Sequence, residues 1–74
     1  MVNKIIITAL RDEAKPIIDF YNLSRDKKQS DLKVYVNNKY SLLITGVGRK
    51  KVIDTLPIYL ERVYNSDSIL INIG

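Results

Sequence analysis

Cysteine and histidine are both absent from this chain. The first absence excludes a disulfide framework and a thiolate metal site. The second removes the usual zinc, copper and haem ligands and the commonest general base. Acid–base chemistry therefore falls to Asp, Glu, Lys or Tyr. Tryptophan is also missing, and there are only three glycines and two prolines. Long apolar runs are lacking as well. Ile5, Ile6 and Ile7 make a stretch far too short for a signal sequence or a membrane span. With no export signal and no cysteine, a cytoplasmic location is the default expectation.

What is present belongs to a folded α/β chain. The 74 residues are 46% hydrophobic and 27% charged, an ordinary balance for a globular protein. A domain of this size buries only about 60% of the surface that its unfolded chain exposes. Twelve basic residues against eight acidic give a net charge of +4, which permits an anionic ligand without demanding one.

The β-branched run Ile5-Ile6-Ile7 predicts a strand over residues 4–9, covered on both faces. Arg11, Asp12 and Glu13 open a helix whose apolar face is Ala14, Ile17, Ile18 and Tyr21, fading by residues 22–24. Its acidic start suits the positive end of the helix dipole. Pro16 is read as early enough to be tolerated. Residues 25–31 are polar and read as a surface loop, with Lys27 and Lys28 solvated. Leu32, Val34 and Val36 alternate with polar neighbours and predict a half-buried strand. Asn37-Asn38 then gives a tight turn, since Asn tolerates positive φ, and Tyr40 to Thr45 returns as the second arm of a hairpin.

Thr45-Gly46-Val47-Gly48 leads into a second helix, with Val52, Ile53, Leu56, Leu60 and Val63 on its buried face. Pro57 should kink this helix or split it at Thr55. Asn65 to Ser68 reads as a turn. Residues 69–73, Ile-Leu-Ile-Asn-Ile, predict another strand buried on both faces. The order β-α-β-β-α-β implies a mixed sheet with helices packed on it. A buried last strand needs cover that two helices do not readily supply. Residues 1–74 therefore read as the front portion of a larger α/β domain, or as a chain that must pair with another.

Open α/β sheets bind ligands beyond the carboxyl ends of their strands. Three such ends can be read here, at residues 8–13, 45–50 and 72–74. Gly46 and Gly48 permit close backbone approach, and the helix that follows favours an anion. The spacing is not that of a P-loop or of a dinucleotide fingerprint, and a plain strand-to-helix turn is the simpler reading. Glu13 is the best-placed carboxylate to orient and deprotonate a water. Its position in a first turn is equally that of a favourable helix-start residue. Arg49, Lys50 and Lys51 are the densest basic cluster, suited to phosphate or to an RNA backbone if suited to anything.

Taken together, residues 5–14 (Ile-Ile-Ile-Thr-Ala-Leu-Arg-Asp-Glu-Ala), 42–50 (Leu-Leu-Ile-Thr-Gly-Val-Gly-Arg-Lys) and 69–74 (Ile-Leu-Ile-Asn-Ile-Gly) resemble the N-terminal part of the nucleoside phosphorylase and nucleosidase superfamily. The likeness is greatest to its methylthioadenosine/S-adenosylhomocysteine nucleosidase branch. The resemblance implies a phosphorylase/hydrolase-like, three-layer α/β domain that cleaves the N-glycosidic bond of a purine nucleoside. It puts Glu13 where that branch has the carboxylate activating the attacking water. Val47 falls where an apolar residue touches the ribose 5′ substituent, and Ala9, Thr45, Gly46 and Gly48 fall on the substrate side of the pocket.

Asn72 stands where bacterial phosphorylases often carry a phosphate-binding arginine. Leu10-Arg11-Asp12-Glu13 replaces their Gly-Asp-Pro phosphate loop. Both differences favour water over phosphate as the nucleophile. The resemblance implies no metal and no organic cofactor, a homo-oligomer in the complete form, a nucleoside as ligand, and neither membrane nor nucleic acid as partner. The family's leaving-group acid and purine-binding residues lie beyond the matched segment, so this chain alone is expected to be inactive. The alternative is a small basic binding or assembly module that contacts nucleic acid or protein through Arg49, Lys50 and Lys51.

Overall fold

The computed structural model describes residues 4–65 and 67–73. It is a small mixed α/β domain with a five-stranded sheet and two helices. In chain order these are β1 (Lys4–Thr8), α1 (Arg11–Tyr21), β2 (Ser24–Arg25), a 3₁₀ turn (Lys27–Gln29), β3 (Lys33–Val36), β4 (Tyr40–Ile44), α2 (Arg49–Val63) and β5 (Ile69–Ile73). The sheet order is β2-β3-β4-β1-β5. β1 runs parallel to both β4 and β5, whereas β2–β3 and β3–β4 are antiparallel.

The helices cover opposite faces, as strand parity requires. Ile5 and Ile7 join Leu32, Val34, Leu43 and Tyr59 in the core beneath α2. Ile6 joins Ala14, Leu23, Leu42 and Ile44 in the core beneath α1. The isoleucine run of β1 is buried on both faces, as its composition predicts. Tyr59 is the largest buried side chain, and its hydroxyl lies 2.5 Å from that of Ser41, which is also buried. Burial pushes the Tyr59 phenol up to about 12, although the Ser41 hydrogen bond acts the other way.

α1 ends as a Schellman closure. Asn22 takes up the left-handed conformation (φ 54°), and the N–H groups of Asn22 and Leu23 donate to Asp19 and Ile18. The hairpin turn works differently from the sequence expectation. Positive φ is found at Asn22 alone among the described non-glycine residues, so Asn37 and Asn38 do not use it. Instead Asn37 Oδ1 accepts from the backbone N–H of both Lys39 and Tyr40, each at 2.8 Å. Side-chain capping does what a left-handed backbone would otherwise do.

Several expectations need correction. Pro16 sits beyond the first turn of α1, so its missing N–H does cost a backbone hydrogen bond. Residues 25–31 are not wholly loop, because Ser24–Arg25 pairs with β3 as a short edge strand. Pro57 does not split α2, which runs on through it. Pro57 and Ile53, whose carbonyl loses its partner, are both exposed, so water can reach that group. Ile53 itself points outward and Tyr59 takes the buried position, since Ile53 lies about 100° around the helix from Val52.

The largest departure is β5. It is an edge strand, not a central one, and Ile69, Leu70 and Ile71 are 53%, 49% and 37% exposed. Its composition reflects what the strand could bury and not what lies over it. Within the turn before β5, the Ser68 N–H donates to the Asn65 carbonyl and the Asp67 N–H to Asn65 Oδ1. Ser66, within the turn expected over residues 65–68, and Gly74, at the end of the third matched segment, lie outside the described residues. No helix of the described residues is long and apolar enough to cross a membrane.

Candidate functional site

Because β1, β4 and β5 are mutually parallel, their carboxyl ends come out on one rim. The rim is held together by backbone bonds that continue the β1–β4 ladder past the strands. Thr45 N–H donates to the Thr8 carbonyl at 2.9 Å, and Gly46 N–H to the Ala9 carbonyl at 3.1 Å. The Thr45 hydroxyl, itself buried, donates to the Gly46 carbonyl at 3.0 Å. The start of the glycine turn is thus fixed against the end of β1.

The turn needs its glycines. Gly46 has φ +88° and Gly48 φ +107°, in backbone regions that L side chains rarely enter. A Cβ on residue 46 would also come within 2.9 Å of Lys51 Cδ, so the lysine stem lies over the turn. Gly48 opens α2 without a side-chain cap, and the first turn of α2 holds no acidic residue. The basic cluster is divided rather than presented as one patch. Lys50 pairs with Asp54 at 3.7 Å, in a well-exposed contact, while Lys51 turns back over Gly46.

Glu13 is half-buried in the first turn of α1. Its Oε1 accepts from the hydroxyl of Thr8 at 3.3 Å. The same Thr8 receives the Thr45 N–H on its carbonyl, so the carboxylate and the glycine turn are anchored to one residue of β1. They stand on different sides of it. Thr8 shares the α1-facing parity of Ile6, whereas Ala9 and Thr45 line a cavity of about 340 Å³ on the α2 side. That cavity is walled by Ile7, Val52, Leu56, Leu70 and Asn72. Gly46 belongs to a smaller hollow of about 190 Å³, beside Asp31, Lys33, Lys51 and Thr55. Val47 and Gly48 are exposed at the tip of the turn.

No family model matches the chain, and no curated protein or solved structure does so either.

The rim therefore gathers Glu13, Ala9 and the Thr45–Gly48 turn along one edge, with Glu13 outside the cavity that Ala9 and Thr45 line. The Thr8 hydroxyl and the aliphatic cover of Lys51 are absent from the sequence reading. Thr8 has one sequence signal, a hydroxyl-bearing residue closing a run of three isoleucines where valine would pack equally well. Lys51 has none, because its contact with Gly46 depends on the conformation of the turn. Among the described residues there is no group of three or more His, Cys, Asp or Glu side chains that could hold a metal ion.

Proposed function

We propose that this chain is the N-terminal portion of a nucleosidase-type member of the nucleoside phosphorylase superfamily, and that in its complete form it hydrolyses the N-glycosidic bond of a purine nucleoside. The observation that carries this reading is the anchoring of Glu13 and the glycine turn to one residue, Thr8, at the carboxyl end of a central parallel strand. The exposed apolar edge at β5 is consistent with further structure beside it.

In this reading Glu13 takes a proton from water, and the water oxygen bonds to the sugar C1′. The C1′–N bond breaks, and its electron pair leaves on the purine nitrogen. That nitrogen must itself be protonated, by an acid that the family resemblance puts outside the three matched segments. Ala9 and the Thr45–Gly48 turn are assigned to the sugar side, with Val47 toward the 5′ substituent. Because Ala9 and Thr45 lie on the α2 side of β1 and Glu13 on the α1 side, this reading requires the nucleoside to lie across the end of β1 and not within the cavity itself. Asn72 supplies no cation for phosphate, which favours water as nucleophile.

The test is product analysis on a form that includes the downstream segment. Incubation with a purine nucleoside should release free base and free sugar at a rate independent of added phosphate. Formation of a sugar 1-phosphate only when phosphate is present would reverse the choice of nucleophile. No release of base under either condition would reject the reading.

A further inference from the structure

We infer that Thr8 is a positioning residue, whose buried hydroxyl holds the Glu13 carboxylate at the rim. Thr8 is 0% exposed and lies in register between Ile44 of β4 and Ile73 of β5. Every neighbouring strand position in this row is a β-branched hydrocarbon, and Thr has the same shape as Val. Packing alone gives no reason for a hydroxyl here, because burying one without a partner costs free energy. Its partner is Glu13 Oε1, five residues along and across the β1–α1 connection.

At 3.3 Å the contact is longer than an ordinary hydroxyl–carboxylate hydrogen bond, so it adds little to stability and biases the Glu13 side chain without locking it. What it does is orient. Glu13 is half-buried on the first turn of a helix whose N-cap, Leu10, makes no side-chain hydrogen bond. A carboxylate there would otherwise sample several rotamers. The Thr8 hydroxyl favours one, at the end of β1 where the Thr8 and Ala9 carbonyls receive Thr45 and Gly46. Fixing the direction of the acceptor oxygens is what a general base requires, since misplacement by an ångström can cost about 100-fold in rate. The catalytic use of this device rests on the proposed nucleosidase reading; the positioning itself does not.

The experiment compares Thr8→Val, which removes only the hydroxyl, with Thr8→Ser, which keeps it. In the 74-residue chain, NMR relaxation reads the side-chain order of Glu13. The expected result is an ordered Glu13 in the parent and in Thr8→Ser. In Thr8→Val the side-chain order parameter of Glu13 falls below that of both the parent and Thr8→Ser. A slowly exchanging Thr8 hydroxyl proton, with a nuclear Overhauser contact to the Glu13 side chain, should be visible in the parent even if Thr8→Val fails to fold. Equal mobility of Glu13 in the parent and Thr8→Val would overturn the inference, as would the absence of that contact.

In the form proposed to cleave nucleosides, Thr8→Val should lower kcat by about 10-fold or less with KM unchanged, as a weak orienting contact implies, and Thr8→Ser should restore it. Loss of Glu13 order in Thr8→Val, together with no cleavage by any form, would sink the nucleosidase reading and leave the positioning role standing.

Discussion

Replacing Tyr59 by phenylalanine probes the core beneath α2 with two separable effects. The Tyr59 and Ser41 side chains are 0% and 1% exposed, and their hydroxyls are hydrogen-bonded to each other. Tyr59→Phe leaves the Ser41 hydroxyl buried without its partner, which costs about 1–3 kcal/mol at neutral pH. The second effect appears in alkali. Burial holds the phenol at about 12 against an ordinary value of 10.0. Because the folded-state value is the higher one, the contribution of neutral Tyr59 is fully present below pH 10 and is lost as the pH rises through 12. The difference corresponds to about 2–3 kcal/mol.

The parent should therefore exceed Tyr59→Phe in stability at pH 7, and the gap should close or reverse by pH 12. Urea unfolding at a series of pH values between these limits measures it. Tyr59→Phe combined with Ser41→Ala should recover part of the neutral-pH loss, because both polar groups then leave together. A gap that stays constant with pH would refute the assigned burial of the phenol. A Phe variant as stable as the parent at pH 7 would refute the Ser41 bond.

Gly48→Ala meets no neighbouring atom, so its cost of about 1–3 kcal/mol should come from backbone strain alone; Gly46→Ala should cost more, with Lys51→Ala relieving only the excess, as urea midpoints would reveal. The Arg62 guanidinium contacts both carboxylate oxygens of Asp31 at 3.0 Å and holds that carboxyl below its ordinary value of 3.8. Its contribution to stability is thus present above that value and is lost as the pH falls through the lowered one. An NMR titration should place the Asp31 midpoint back in the ordinary range in Arg62→Ala. Finally, Ile71→Lys puts a charge on the apolar edge strand and should reduce concentration-dependent association, as measured by light scattering.

The fold was legible in the sequence to the extent that its signals were local. Alternation gave β3 its buried face of Leu32, Val34 and Val36, and the isoleucine run gave β1 its two covered faces. The same hydrophobic signature in β5 misled, because a strand's composition does not report its neighbours. Ser24–Arg25 escaped notice because a two-residue edge strand is held by backbone pairing and needs no apolar pattern. In α2, Pro57 is tolerated because the carbonyl it leaves unpaired, that of Ile53, is on an exposed stretch, which the sequence does not report; the phase of Ile53 has another cause. Spacing limits which residues can share a face, and only packing against the sheet selects Tyr59 over Ile53.

Legibility was similar at the candidate site. Gly46 and Gly48 form the strand-to-helix turn that their place between β4 and α2 suggests, with positive φ at both, and the parallel ladder brings the expected strand ends to one rim. That Glu13 and the Ala9–Thr45 cavity stand on opposite sides of β1 depends on whether Thr8 or Ala9 points toward α1. That parity was fixed only once β1 had been placed in register with β4 and β5.

The most direct measurement is the rate of base release by the nucleoside-cleaving form carrying Glu13→Gln. The substitution keeps the size of the side chain and an acceptor for Thr8, and removes its negative charge and with it the capacity to take a proton. The account predicts a fall of about 10²- to 10⁴-fold with cooperative unfolding intact. A variant that turns over at the parental rate would contradict it.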